Sequence, residues 1–315
     1  MKTIRIPNTE LTVSALCYGT ADVGHDMSEG TAALLLNTYR DAGGTFLDSA
    51  HVYACWTTAG AGSSEQAIAR YLKANPWKDV VIATKGGHPG MAAYRKVDRY
   101  LDPCRIRADI EDSLGRLEID RIDVYYLHRD DTRCEVGEII EMLNREIQAG
   151  TIRYLGASNW KAERIRAANA YAAKKGLQGF VASQAEFSLA YKRQTGTSPT
   201  GADNLYAQQE DLAFHSETGM PLCAYSSSAK GFFANNAKPL PEFDMEENHV
   251  RRSRAQKLAA DKGCTPTQIA LAWLMHQGFP CIPITGSVTP PNLKENLAAV
   301  NLHLTASEVE WLSAG

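Results

Sequence analysis

Short aliphatic runs recur along the chain, each closed by a polar residue and followed by a stretch with helical spacing. They cover residues 15–18, 45–47, 80–83, 122–127, 152–156, 179–183, 221–224 and 281–284. Unbroken apolar runs of this length suit strands buried on both faces. Their alternation with helices predicts parallel strands joined by crossover helices. An earlier pair, residues 3–6 and 11–13 around Pro7-Asn8-Thr9, reads as a β-hairpin outside that count. Helix starts are well marked. Asp102-Pro103 supplies an N-cap and a proline at the first helical position, and Ile106, Ile110, Leu114 and Leu117 then recur on one face. Ser64-Glu65, Thr265-Pro266 and Pro290-Pro291 open three more helices, the second carrying Ile269, Ala272, Trp273 and His276. Eight β/α units in 315 residues match a (β/α)8 TIM barrel, which ordinarily takes about 250 residues with insertions allowed. A doubly wound sheet shares the alternation; the expected fold is the α/β barrel with an N-terminal hairpin, one domain over residues 1–315.

Composition narrows the setting. With 44% hydrophobic and 22% charged residues, the chain has the ordinary balance of a soluble globular protein. A net charge of −3 offers no basic footprint for nucleic acid. The start, Met1-Lys-Thr-Ile-Arg-Ile-Pro, lacks the apolar run of a signal peptide, and no apolar stretch reaches the roughly 18 residues of a membrane span. Seven cysteines without a CxxC pair point to reduced thiols and a cytoplasmic location. Without HxH, HExxH or CxxC, no metal site is expected.

In a (β/α)8 barrel the active site is built at the C-terminal ends of the strands. Here those ends carry Gly19-Thr20, Asp48, Lys85, His128, Ser158-Asn159, Gln184, Tyr225-Ser226 and Thr285-Gly286-Ser287. A few polar caps are normal in any barrel; a polar group at nearly every strand end is not. A tyrosine ordinarily titrates near 10. A neighbouring ammonium lowers that value, and a carboxylate keeps the ammonium charged. Asp48, Tyr53 and Lys85 therefore suggest a tuned proton donor, and His128 a group that orients a carbonyl oxygen. Such a set would stabilise the alkoxide formed when hydride reaches a carbonyl carbon.

The segments Phe46-Leu-Asp48-Ser-Ala-His-Val-Tyr53, Val81-Ile-Ala-Thr-Lys85-Gly-Gly and Asp123-Val-Tyr-Tyr-Leu-His128 resemble the signature segments of the aldo-keto reductases. Ser113-Leu-Gly-Arg-Leu and Gly150-Thr-Ile-Arg-Tyr-Leu-Gly-Ala-Ser158-Asn159 are similar to that family too. The resemblance covers almost the whole chain. It implies an NAD(P)-dependent oxidoreductase that reduces an aldehyde, ketone or sugar carbonyl, with Tyr53 as general acid, Asp48 and Lys85 as its tuning pair and His128 orienting the carbonyl. It also implies that Ser158, Asn159 and Gln184 hold the nicotinamide carboxamide and that Tyr225 stacks on the ring. Ser226, Ser228 and Lys230 would contact the pyrophosphate, while Gly19, Thr20, Gly286, Ser287, Glu295 and Asn296 would complete the cofactor site. The cofactor implied is NADPH, with NAD as the alternative.

Three departures from the family pattern matter. Gly286, Val288 and Asn292 stand where a basic residue often binds the 2′-phosphate of NADP, leaving Lys294 as the expected phosphate ligand. The loop after Tyr53 is long and carries Trp56, a candidate substrate wall, while His51 and His88 flank the tetrad segments as further pocket candidates. The chain ends soon after Trp311, so the site is expected to be open, with an insertion at residues 194–204 available to cover part of it. Tyr171 and Lys175 have YxxxK spacing but lack a dinucleotide fingerprint, and Gly60-Ala-Gly62-Ser-Ser-Glu65 follows no strand directly, so both read as ordinary surface features. The Arg251-Arg252-Ser-Arg254 run reads as a solvated helix face or a guard for an adenosine phosphate. A regulatory nucleotide-binding protein and a Schiff-base lyase using Lys85 are the competing functions. The expected partner is a small carbonyl or alcohol substrate, without nucleic acid or membrane. The oligomeric state is left open.

Overall fold

A computed structural model describes residues 1–90, 98–192, 203–234 and 240–315. The aliphatic runs form β3 (Cys17–Gly19), β4 (Phe46–Asp48), β5 (Val81–Gly86), β6 (Ile122–Leu127), β7 (Ile152–Ser158), β8 (Phe180–Glu186), β9 (Leu222–Tyr225) and β10 (Cys281–Thr285). All pair in parallel and in sequence order, and β10 closes on β3 to complete an eight-stranded barrel. Seven strands extend one to three residues beyond the predicted runs at their C-terminal ends; β6 alone has the predicted limits. Backbone pairing is indifferent to side-chain polarity, so Lys85, Ser158 and Gln184 sit inside strands rather than after them.

Side chains alternate between faces along a strand. Phe46, Val81, Ala83, Val124, Tyr126, Ala182, Cys223, Ile282 and Ile284 share one buried cluster that fills the barrel. Two residues on, with the same parity, lie Asp48 (from Phe46), Lys85 (from Ala83), His128 (from Tyr126), Gln184 (from Ala182) and Tyr225 (from Cys223). The polar rim is thus the top layer of the same inward-facing set. Gly156 is required beneath it: a Cβ there would lie 2.3 Å from Cδ1 of the Tyr126 ring. The hairpin, β1 (Thr3–Arg5) with β2 (Thr12–Ser14) antiparallel, adds Ile6, Leu11 and Val13 to that cluster. It is tied to the entry of β4, where the backbone N–H of Ser14 donates to Thr45 Oγ1 at 3.0 Å and that of Thr45 to Ser14 Oγ at 3.1 Å. The hairpin therefore covers the end opposite the rim.

Ten α-helices surround the barrel among the described residues: α1 (Glu29–Asp41), α2 (Ser63–Ala74), α3 (Pro103–Leu117), α4 (Val136–Ala149), α5 (Ala162–Lys175), α6 (Gln209–Thr218), α7 (Glu246–Lys262), α8 (Pro266–Met275), α9 (Pro290–Ala298) and α10 (Ala306–Ser313). Asp102, Thr265 and Thr289 accept hydrogen bonds from the first turns of α3, α8 and α9, as the cap signals predict. The α8 pattern stops one residue short of His276, which occupies the C-cap and turns Nδ1 to the Ala272 carbonyl at 2.7 Å. No helix of the described residues is long and apolar enough to cross a membrane. None of the seven cysteines forms a disulfide.

Tyr39 of α1 anchors the outer layer to the barrel. Its fully buried hydroxyl lies 2.7 Å from the Leu16 carbonyl, 2.9 Å from the Phe46 carbonyl and 2.7 Å from Ser14 Oγ, and it accepts from the Phe46 N–H at 3.2 Å. Tyr39→Phe leaves these groups short of partners without changing ring packing. Urea unfolding should show a loss of about 1–3 kcal/mol; an unchanged midpoint would show that the hydroxyl does not hold the joint.

Candidate active site

Asp48, Tyr53 and Lys85 form one buried hydrogen-bonded unit at the rim. The ammonium of Lys85 donates to Asp48 Oδ2 at 2.7 Å, the Ser49 carbonyl at 2.7 Å and the Tyr53 hydroxyl oxygen at 2.8 Å. An ammonium has three protons, and each has an acceptor here. Because Lys85 donates to the phenol oxygen, the phenol's own proton must point elsewhere. Burial pulls Lys85 down, but Asp48 and Tyr53 outweigh it and hold the ammonium above its ordinary value. Tyr53 goes against the expectation of a lowered value. Burial pushes it up, Lys85 opposes this, and the net direction is upward. Desolvation penalises the phenolate more than one ammonium compensates, since that ammonium is already shared with a carboxylate. The phenol is consequently a loaded proton donor at neutral pH.

His128 stands beside it, with ring centroids 6.1 Å apart, nearly perpendicular. Its backbone N–H donates to the Gly86 carbonyl at 2.7 Å, and its Nδ1 is buried without a hydrogen-bond partner among the described residues. Burial, then Arg129 and His88, push its pKa well below the usual imidazole range, so the ring is neutral. The other oxygen of Asp48 accepts from Gln184 Nε2 at 2.9 Å, and Gln184 Oε1 accepts from Ser158 Oγ at 3.4 Å. Asn159, at a φ of 61°, donates to Ser158 Oγ and the His128 carbonyl, both at 3.0 Å. Its Oδ1 accepts from the Tyr225 hydroxyl at 2.7 Å and the Leu205 N–H at 2.9 Å.

Asp48, Tyr53, His128, Ser158, Asn159, Gln184 and Tyr225 line a cavity of about 270 Å³, together with Gly19, Ala21, Arg129 and Asn204. Ser226, Ile284 and Gly286 belong both to it and to a groove of about 720 Å³ lined by Ser228, Lys230, Thr265, Thr267, Ser287, Asn292, Glu295 and Asn296. A dinucleotide suits the joined pair: an amide cluster and an aromatic ring at one end, a polar trough at the other. Ser226, Ala229, Lys230 and Gly231 all have positive φ, the type of backbone that gathers N–H groups around an anion. The first turns of α8 and α9 also line the trough. Asn296 donates to Thr285 Oγ1 at 2.8 Å and Ser287 Oγ at 2.9 Å, while Glu295 accepts from Thr265 Oγ1 at 2.6 Å. Thr20 lies under the rim, with its Oγ1 on the Asp48 carbonyl at 3.0 Å.

Several expected residues sit elsewhere. Lys294 does not line the dinucleotide groove. It lines a separate cavity of about 530 Å³ with Met1, Thr38 and Asp41. Helical geometry explains this: Asn292, Glu295 and Asn296 share one face of α9, and Lys294 falls about 100° away from Glu295. His51 turns outward to α3, with Nε2 at 3.0 Å from Asp112 Oδ2, and does not line the cavity. Of the arginine run of α7, Arg251 reaches the Leu189 and Ser313 carbonyls and Arg254 those of Trp311 and Ala314, while Arg252 donates to the carbonyl of Ala234, which lines the groove, at 3.0 Å. His88 packs on His128, with ring centroids 4.9 Å apart, but like His51 it does not line the cavity. Trp56 is 47% exposed with its ring centroid 6.3 Å from that of Tyr53, and it does not line the cavity. Of the 194–204 insertion, residues 194–202 lie outside the described residues, and Asn204 reaches the cavity wall. Arg129 escaped the sequence reading, whereas Asn204 belongs to the insertion expected to cover part of the site. The signal for Arg129 was its place immediately after the rim histidine.

The aldo/keto reductase family model matches residues 15–314. The chain is also similar, at 23% identity and a TM-score of 0.75 over 99% of both chains, to the crystal structure of a thermostable aldo-keto reductase, Tm1743, in complex with the inhibitor epalrestat. The chain belongs to the aldo/keto reductase family and is an NAD(P)H-dependent oxidoreductase.

Lys294→Ala should leave the dissociation constants of NADPH and NADH, read by fluorescence titration, within the roughly 0.5 kcal/mol typical of exposed positions. A selective loss of NADPH affinity would return Lys294 to the groove.

Proposed function

We propose that the chain reduces the carbonyl of a small aldehyde, ketone or sugar to an alcohol, with Tyr53 as proton donor and NADPH as the cofactor. The carrying observation is that Lys85 donates to the phenol oxygen, so the Tyr53 proton points away from the ammonium, on a residue that lines the cavity. The bound nicotinamide supplies the hydride. Tyr53 gives its proton to the carbonyl oxygen as negative charge develops there, and the Lys85 ammonium stabilises the phenolate left behind. Neutral His128 donates a hydrogen bond to the same oxygen without competing as an acid. Ser158, Asn159 and Gln184 would hold the carboxamide, and the Tyr225 ring would provide the stacking face.

The NADPH reading follows the family resemblance; the trough supports it only weakly. Among its described lining residues the cation is Lys230, which is already paired with Glu242 at 2.9 Å. NADH is therefore accepted as well, with limited discrimination between the two.

Tyr53→Phe should lower carbonyl reduction by at least the 10²–10⁴-fold that general acid catalysis supplies, while NADPH still binds. Substantial residual turnover would remove Tyr53 from the mechanism. The acid form of Tyr53 is lost as pH rises through a value above the ordinary 10 or so, and the neutral form of His128 is lost as pH falls through one below about 6.5. kcat/KM for the carbonyl should accordingly be flat from about pH 7 to about pH 9. A steep slope inside that window would contradict the assignment of both groups.

A further inference from the structure

Among the described residues, several cations near the rim pair with carboxylates. Lys85 pairs with Asp48 at 2.7 Å, Arg116 with Glu65 at 3.3 Å, Arg164 with Asp130 at 2.9 Å and Lys192 with Glu186 at 2.8 Å. Arg129 pairs with none of the described residues' carboxylates. Its Nη1 donates to the His128 carbonyl at 2.8 Å and its Nη2 to Asn204 Oδ1, both neutral acceptors. A guanidinium carries five N–H donors and stays charged at any physiological pH, so donors remain unused on a group that lines the reaction cavity. Burial disfavours its charge, and the groups that support it through space include Tyr225, Tyr53, Tyr100 and Asp203. In the cavity the charge of Asp48 is spent on Lys85 and His128 is neutral, so Arg129 leaves the space beside Tyr53 net positive.

A partly desolvated cation that touches no carboxylate among the described residues is only weakly compensated, by Asp203 through space, and a planar fork of donors matches a carboxylate or phosphate closely. We propose that Arg129 is a specificity-determining residue and that the favoured carbonyl substrates carry a compact anionic group, a carboxylate or a phosphate. This rests on the assignment of the cavity as the carbonyl site. The anion docks on the guanidinium while the carbonyl oxygen meets Tyr53 and His128. The residue holds the far end of the substrate and takes no part in proton or hydride transfer.

The test pairs each anionic aldehyde with a neutral counterpart on the NADPH-loaded enzyme: 4-oxobutanoate against butanal, and glyceraldehyde 3-phosphate against glyceraldehyde. The wild type should favour one anionic member in kcat/KM, and the better pair identifies carboxylate or phosphate. In Arg129→Gln that anionic-to-neutral ratio should fall about 10- to 100-fold, mainly through KM, the range expected for a lost charge-assisted contact. Arg129→Lys should fall in between. Equal losses on both members, or a wild type indifferent to charge, would overturn the proposal while leaving carbonyl reduction standing. Weakened NADPH binding in Arg129→Gln would assign the residue to the cofactor and also overturn it. If no carbonyl is turned over, the functional reading fails, and calorimetry with succinate and inorganic phosphate on the NADPH-saturated protein still decides: binding lost in Arg129→Gln supports the anion site, and no binding to the wild type refutes it.

Discussion

Everything at the rim depends on one buried ammonium. A lysine 1% exposed would normally shed its proton, because moving a charge out of water is expensive. Lys85 keeps it because Asp48 lies at 2.7 Å and two further oxygens complete its shell. Removing one partner of such a pair typically destabilises by about 3–5 kcal/mol, since the other charge is left uncompensated. The barrel supplies the positions: Asp48 and Lys85 sit on neighbouring strands, each two residues above a core side chain of the same parity. The pair is therefore a consequence of strand register rather than of loop conformation.

That same geometry explains why so much of the site was legible in the sequence. Inward parity is a rule of period two, and a polar residue at the end of each aliphatic run marks where core gives way to rim. Asp48, Lys85, His128, Gln184 and Tyr225 follow directly from it. Residues whose placement depends on helix azimuth did not. Lys294 is adjacent in sequence to Glu295, which lines the groove, yet one helical step rotates it onto a different surface. His51 lies in the turn after β4, where no periodicity applies, and the competition between cavity and Asp112 is invisible without coordinates. The raised Tyr53 value illustrates another limit. Residue types gave the Coulombic partners correctly, but the balance with desolvation depends on depth of burial.

Arg129 shows the converse. Strand parity flags alternate residues, and His128 already occupied the inward position, so its neighbour was passed over. Just beyond the end of β6 the backbone leaves the sheet and the alternation lapses. Both residues then face the cavity. Rim positions immediately past a strand should be read in pairs for this reason.

The network also links the two halves of the chemistry. Asp48 offers one oxygen to Lys85 and the other to Gln184, which in turn accepts from Ser158. Asn159 joins that amide cluster to the His128 carbonyl and to Tyr225. The groups that face the carbonyl oxygen and those suited to the carboxamide are therefore not independent, since a shift in Gln184 moves the carboxylate that keeps Lys85 charged. In the proposed reduction, hydride and proton must reach the two ends of one C=O bond, and a misplacement of about 1 Å can cost about 100-fold in rate. A shared carboxylate imposes that coupling through two short hydrogen bonds. Arg129 extends the same logic outward, because its guanidinium bonds the His128 carbonyl to which Asn159 also donates. The positive charge that would receive a substrate anion is thus fixed to the backbone of His128, the residue proposed to orient the carbonyl oxygen.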